Sequence, residues 1–248
     1  MSFDPPARSS GALKVGFVAA LDVECASLRK QATRAGSWLV VQSGPGAARA
    51  AAAATRAVDG GVSLLVAWGL AGGLDTTLAP GTVVVPKRVL QVGAAPLEVA
   101  PAWHARLTAL ADEFALEQRD LLTVPAALES AEAKHAAATA THAIAVDMES
   151  AAVGVAAAQA HVPFVVLRVV VDGAADALPR GAEQWIDEHG NRRLAPTLRA
   201  AVSMRQWRPL LTLAQRYHTA SGVLDRLAQA LMSRQLLAAD VATRKAGC

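Results

Sequence analysis

Cysteine, aromatic residues and long apolar runs are all scarce in this chain. Of its 248 residues, two are cysteine and 4% are aromatic, and Cys25 and Cys248 lie far apart in sequence. A disulfide framework and a cysteine-rich metal site are therefore excluded. No apolar run reaches the ~18 residues that a membrane-spanning helix needs, and the first ten residues, MSFDPPARSS, have no apolar stretch of the kind that a signal peptide needs. These absences predict a cytoplasmic globular protein.

The common motifs for nucleotide cofactors and metals are also missing. There is no GxGxxG with an acidic residue about 20 positions later, and no GxxxxGK[ST]. The six histidines show no HExxH or paired spacing. We therefore expect neither a cofactor nor a metal ion.

Charge divides the chain into unequal parts. Residues 181–248 hold ten Lys and Arg against five Asp and Glu, a net of +5, whereas residues 1–180 hold 14 against 16, a net of −2. This change predicts a boundary near residues 179–181. We expect a flexible N-terminus over 1–12, a catalytic domain over 13–180, and a basic amphipathic helical extension over 181–248, packed on or beside that domain.

Apolar strands alternate with helices along the first 180 residues. Strands are predicted at 13–20, 38–42, 62–68, 81–90, 143–147 and before Asp172, and helices at 23–34, after the SGPG turn, at 102–115 and at 130–141. Helices between strands predict βαβ units, and hence an α/β fold whose sheet is covered on both faces.

Two acidic residues, Glu149 and Asp172, stand where predicted strands end. Asp147-Met148-Glu149 closes one strand and opens a helix, and Asp172 ends another strand 23 residues after Glu149. Open α/β sheets bind ligands at strand ends, and the apolar surroundings leave no room for an unpaired charge. Glycine turns at 43–46 and 69–73 also follow predicted strands, where backbone amides can approach a ligand or simply make tight turns.

Five ordered motifs suggest a family. VGFVAALDVE, SGPGAARAAAA, WGLAGGLDTTLAPGTVVVP, AVDMESAAVGVAA and VPFVVLRVVVD lie over residues 13–176. Their order and spacing resemble the purine and uridine phosphorylase superfamily, and within it the 5′-methylthioadenosine/S-adenosylhomocysteine nucleosidases. The VDMES form, the short middle and DALPRG before basic, Leu-rich helices resemble the hopanoid-associated phosphorylases, which cleave adenine from adenosylhopane. The resemblance implies a three-layer α/β/α fold with a mixed, mainly parallel sheet and a C-terminal helical extension.

The resemblance also implies roles for individual residues. Asp172 matches the acid that protonates the purine base, Glu24 the base that orients a water, and Arg168 an arginine near that water. Glu149 matches the carboxylate that grips the ribose hydroxyls. Further substrate contacts are expected from Met148, Gly72, Ala71, Ser43, Gly44 and Ala20.

Two positions depart from the nucleosidase pattern. Leu70 and Val171 stand where the nucleosidases usually have serine. We therefore expect less polar support for the nucleophile and for Asp172.

The chemistry of an N-glycosidic bond fits this set of residues. Its cleavage needs an acid for the departing base, an electronegative environment for the sugar and a delivered nucleophile. For Asp172 to be that acid, burial must raise its pKa. The first loop, AALDVE, has acids where phosphorylases usually present an arginine, which favours water. The alternative is phosphate, bound at the SGPG turn near Arg49 and Arg56, although these arginines also read as solvated helix residues.

The basic extension carries an apolar stripe. From 209 onward, leucines and Tyr217 recur at helical spacing between arginines. The stripe predicts packing on the α/β body or on a partner, or else peripheral contact with an anionic membrane that admits a nucleoside with a hydrophobic 5′ substituent. In that second case the residues expected to line a lipid channel are Met204, Trp207, Leu210 and Leu213.

The favoured function is therefore adenine release from adenosylhopane. The alternatives are phosphorolysis of the same bond, a general methylthioadenosine/S-adenosylhomocysteine nucleosidase, or a non-catalytic nucleoside- or lipid-binding protein. Because no nucleic-acid-binding motif is present, we expect no nucleic-acid partner. The family resemblance implies a homo-oligomer.

Overall fold

The computed structural model describes residues 13–177, 187–191 and 207–238, and for 207–213 the backbone alone. The strands are β1 (Val15–Ala19), β2 (Trp38–Gln42), β3 (Leu64–Gly73), β4 (Val83–Val84), β5 (Arg88–Gln91), β6 (Leu97–Glu98), β7 (Leu116–Glu117), β8 (Leu121–Thr123), β9 (Ala145–Asp147) and β10 (Phe164–Asp172). The helices are α1 (Asp22–Ala35), α2 (Ala47–Asp59), α3 (Pro101–Leu107), a 3₁₀ turn (Thr108–Asp112), α4 (Ala131–Thr141), α5 (Ser150–Gln159) and α6 (Trp207–Ser233).

The ten strands form one mixed sheet. Its main order is β6-β5-β8-β9-β3-β10-β4-β7, and β1 pairs with both β2 and β3. Most pairings are parallel, but β9 runs antiparallel to β3, β4 to β10 and β6 to β5. The predicted α/β class with a mixed, mainly parallel sheet is confirmed.

Alternation along the strands explains why both faces are covered. In β3, Leu64, Val66 and Trp68 pack on one face, and Leu65 and Ala67 pack on the other, as a side-chain period of two requires. The first face is covered by α1 and α6. The second face is covered by α2 and α5, whose buried residues are mostly alanine. Small side chains let these two helices lie close to the sheet.

The predicted glycine loop after β3 is wrong. Strand β3 does not end at Trp68 but continues through Gly73, pairing with β10 from Leu65 to Gly72. This part of the strand needs glycine because a neighbouring group occupies the space that a side chain would take. At Gly69 (φ +148°), an added Cβ would lie 2.4 Å from Oε1 of Glu24.

The described part of the C-terminal extension packs on the α/β body. The side chains of Leu224, Leu227 and Leu231 are buried in the same core as Phe17 and Leu28. The exposed residues of α6 from 214 onward are polar or small. Core packing therefore accounts for this portion of the stripe. Within the described ranges, no helix is both long and apolar enough to cross a membrane.

Some predictions fall outside the described residues. These are the flexible N-terminus at 1–12, the boundary at 179–181 and Met204. The side chains of Trp207, Leu210 and Leu213 are likewise outside the description, although their backbone lies in α6.

Candidate active site

The candidate site lies beside the second half of β3. Strand β1 ends at Ala19, opposite Trp68, and β9 meets the same edge of β3 only at Gly72 and Gly73. Residues 69–71 therefore lie between two strand pairings on that edge. The backbone N–H of Leu70 donates there to Oε1 of Glu24, at 2.8 Å. A side chain thus takes the place of a neighbouring strand.

Glu24 is held by backbone N–H groups at the start of α1. Its Oε2 accepts hydrogen bonds from the N–H groups of Ala20 and Leu21, both at 2.9 Å. The side chain is buried. Burial raises the pKa of Glu24 above its ordinary value, while Arg168 and the three N–H donors oppose that rise. With two bonds on Oε2 and one on Oε1, the carboxylate keeps acceptor capacity on Oε1.

Arg168 is the cation of this part of the site. Its guanidinium lies 2.6 Å from Oδ2 of Asp147 and 3.6 Å from Oε2 of Glu149. It also donates to the hydroxyl of Ser150 and to the carbonyl of Trp68. The side chain is 1% exposed, so these partners replace all of its hydration.

Glu149 lies at the N-terminus of α5 and reaches the SGPG turn. Its Oε1 accepts a hydrogen bond from the N–H of Gly46 at 2.9 Å. Burial raises the pKa of Glu149 to about 7; Arg168 opposes the rise and Asp147 adds to it. A group whose pKa lies near neutral pH can exchange a proton or a hydrogen bond with a ligand at little cost.

Asp172 lies at the end of β10, away from Arg168. Its carboxylate forms a buried ion pair with Lys134 of α4, and both side chains are almost fully buried. An added Cβ on Gly72 would lie 3.4 Å from Oδ1 of Asp172. Burial raises the pKa of Asp172, and the ammonium of Lys134 opposes that rise. The expectation of less polar support for Asp172 is therefore wrong, because Lys134 of helix α4 supplies it.

The remaining predicted contacts lie around these groups. The N–H of Gly44 donates to the carbonyl of Ala20, and the hydroxyl of Ser43 to the carbonyl of Gly44. Ala71 is buried beside Gly72, and Met148 is half-buried between Asp147 and Glu149.

A short segment, 187–191, packs against the ends of β1 and β2. The carbonyl of Gly190 accepts from the N–H of Asp22, and the carbonyl of His189 accepts from the side chain of Gln42. Arg49, weighed as a phosphate ligand, forms an exposed ion pair with Glu188 at 3.3 Å.

Sequence reasoning assigned no role in the site to Asp147, Ser150 or Lys134. Asp147 accepts from the hydroxyl of Thr123 and from the N–H of Ser150, so it orients the start of α5 as well as Arg168. Its position at the end of the predicted strand, directly before Met148, could have indicated a role in the site. Lys134 carried no such signal, because a lysine in an alanine-rich helix is typical of a solvated surface.

Comparisons with known proteins identify the family of this chain. The family model of the phosphorylase superfamily matches residues 19–203. The chain belongs to the phosphorylase superfamily. No curated protein sequence matches the chain.

Several solved structures share the fold of this superfamily member. The 5′-methylthioadenosine/S-adenosylhomocysteine nucleosidase of Neisseria meningitidis, in complex with methylthio-immucillin-A, is similar with a TM-score of 0.68 at 18% identity, over 89% of this chain and 99% of that one. The corresponding nucleosidase of Helicobacter pylori has a TM-score of 0.65 at 19% identity, over 90% and 100%. Futalosine hydrolase of Helicobacter pylori has a TM-score of 0.65 at 17% identity, over 91% and 97%. The predicted superfamily and fold are confirmed.

Proposed function

We propose that this phosphorylase-superfamily member cleaves the N-glycosidic bond of an adenine nucleoside. The observation that carries the proposal is the division of buried charge beside β3. The Lys134–Asp172 pair lies at one end of the site, and Glu24, Glu149 and Asp147 surround Arg168 at the other. Cleavage needs both an acid for the departing base and an electronegative environment for the cationic sugar.

The proposed roles follow from this division. Asp172 protonates the departing base, and Glu149 accepts hydrogen bonds from the ribose hydroxyls. Glu24 keeps acceptor capacity on Oε1 and orients the attacking water. Arg168 holds the carboxylates in place. The pKa of Glu149, about 7, suits a group whose hydrogen bonds change during the reaction.

Charge around the sugar favours water over phosphate. Three carboxylates, those of Glu24, Asp147 and Glu149, face a single guanidinium. A phosphate dianion would be repelled by the ionised forms of these carboxylates, whereas a cationic sugar would favour those forms and be stabilised by them. The amide of Gly46, at the turn weighed as an anion site, already donates to Glu149. We therefore propose hydrolysis.

For the substrate we propose adenosylhopane, an adenine nucleoside with a hydrophobic 5′ substituent. The support is the resemblance of VDMES, DALPRG and the basic, Leu-rich tail to the hopanoid-associated phosphorylases. The described side chains of α6 place their leucines in the core of the α/β body. We therefore propose that residues before 214 contact the lipid. Peripheral membrane contact and a homo-oligomer belong to the same proposal.

The test is adenine release from adenosylhopane, methylthioadenosine and S-adenosylhomocysteine, each with and without phosphate. Mass analysis then identifies the sugar product. We expect release from adenosylhopane, a free sugar and no dependence on phosphate. A sugar phosphate formed only with phosphate would reverse the choice of nucleophile. Faster cleavage of methylthioadenosine would make this a general nucleosidase.

A further inference from the structure

Lys134 is the only buried residue of α4. The helix is alanine-rich, its other residues are exposed or half-buried, and it begins with the hydroxyl of Ser130 accepting from the N–H of Ala133 at 3.1 Å. The ammonium of Lys134 donates to Oδ2 of Asp172 and, at 2.8 Å, to the carbonyl of Gly173. A buried ion pair seldom stabilises a fold more than apolar side chains of the same volume would. Packing alone therefore does not account for a lysine here.

The pair lies where the base departs in the proposed reaction. Gly72, on the adjacent strand, places its α-carbon next to both oxygens of Asp172, because an added Cβ would lie 3.4 Å from Oδ1 and 3.8 Å from Oδ2. Lys134 occupies Oδ2, which leaves Oδ1 as the oxygen without this partner. The ion pair thus fixes the orientation of the carboxylate.

Other charged groups face the same carboxylate. Asp176 accepts from the N–H of Gly173 at 2.7 Å, and Arg216 of α6 pairs with Asp176 at 2.5 Å. These two charges compensate each other. The balance of protons on Asp172 is therefore set mainly by burial and by Lys134.

We propose that Lys134 is a positioning residue that orients Asp172 and shares with it the one proton the departing base receives. This inference rests on the proposed function. An ammonium beside a carboxylate and an amine beside a carboxylic acid hold the same number of protons, so the pair stores a transferable proton without an isolated, protonated Asp172. It stands in for the polar support that Val171 cannot give.

Protons and electrons balance in the proposed reaction. As the bond between the sugar C1′ and the base nitrogen breaks, its electron pair goes to the base. Lys134 gives the shared proton to Asp172, which passes it on to the base, so that Asp172 ends as the carboxylate and Lys134 as the neutral amine. Water adds its oxygen to C1′ and gives a proton to Glu24. Solvent then returns the proton to Lys134 and removes the one on Glu24.

The test compares leaving groups. Wild type, Lys134→Met, Asp172→Asn and the exposed control Lys30→Met are assayed with an adenine nucleoside and with a 4-nitrophenyl riboside that carries the same 5′ group. Nitrophenolate leaves without a proton. We expect Lys134→Met to lower kcat for the adenine nucleoside by about 100-fold, within the range of general acid catalysis. We expect the rate with the nitrophenyl riboside to change less than about threefold, because the acid step is not needed.

The pH profile gives a readout that a purely structural role would not change. In the proposal the transferred proton is held by the ammonium and the carboxylate together, whereas in Lys134→Met only the carboxyl group of Asp172 can hold it. In Lys134→Met the alkaline limb of kcat/KM should therefore move to lower pH. An unchanged rate and profile, or equal losses with both substrates, would overturn the inference.

A double variant covers the case in which Lys134→Met does not fold. Lys134→Met with Asp172→Asn leaves no charge in the pair, and its rate should match that of Asp172→Asn alone. A further loss of more than about tenfold would show that Lys134 acts independently of Asp172. If wild type cleaves neither substrate, the proposed function fails too; if it cleaves both and Lys134→Met behaves like wild type, only this inference fails.

Discussion

Replacing Glu149 with glutamine should stabilise the protein, and increasingly so as the pH rises. Burial raises the pKa of Glu149 from its ordinary value of 4.5 to about 7. At about 1.4 kcal/mol per pKa unit, an ionised Glu149 costs the folded state about 3 kcal/mol. Glutamine keeps the shape and an oxygen acceptor for the N–H of Gly46, but it carries no charge.

The sign follows from proton binding in the two states. Between pH 4.5 and 7, the folded protein holds a proton on Glu149 that the unfolded chain has released. The contribution of this group to the free energy of unfolding is therefore highest below pH 4.5, and it is lost as the pH rises through 7. The difference between Glu149→Gln and wild type should grow by about 3 kcal/mol between pH 4.5 and 8.

Urea denaturation of both proteins at several pH values measures this difference. Any constant offset, such as a change in the hydrogen bond from the N–H of Gly46, is read at the lowest pH and subtracted. The exposed Glu129→Gln serves as the matched control and should show no such trend. An equal difference between Glu149→Gln and wild type at pH 5 and 8 would refute the reasoning. The stabilised variant should lose turnover, since a costly buried acid is retained for function.

Three further predictions concern the site and the core. Gly69→Ala places a methyl group 2.4 Å from Oε1 of Glu24, so kcat should fall by about 100-fold while circular dichroism stays unchanged; wild-type turnover would contradict the position of Glu24. Leu227→Ala removes a fully buried side chain of α6 and should lower the free energy of unfolding by about 2–5 kcal/mol. A loss below about 0.5 kcal/mol would show that this helix does not pack in the core. Burial raises the pKa of the Cys25 thiol to about 12, so in a Cys248→Ser background it should react with a thiol reagent only after unfolding; rapid labelling of the native protein would count against its burial.

Much of the site could be predicted from sequence because its acids follow apolar strands. Asp172 ends an apolar strand, Glu149 follows the end of another by two residues, and Glu24 lies in the first turn of a helix. The alternation of apolar strands with helices likewise predicted a sheet covered on both faces.

Other features depend on contacts between distant residues. Strand β3 continues through Gly73 because β10 pairs with it. Position 69 needs glycine because the carboxylate of Glu24 occupies the space that a side chain would take. Lys134 looks like a surface residue until the fold brings it to Asp172. The two-residue strands, among them β4 and β7, are too short to show a period.

The most direct test of the central claim compares turnover and binding in one variant. Wild type and Asp172→Asn are assayed for adenine release from adenosylhopane, and their affinity for the same nucleoside is measured under identical conditions. The account predicts that wild type releases adenine, and that the variant binds the nucleoside with similar affinity but cleaves it at least ~100-fold more slowly. Binding by both proteins with no release from adenosylhopane, methylthioadenosine or S-adenosylhomocysteine would contradict it, and would make the protein a nucleoside-binding member of the superfamily.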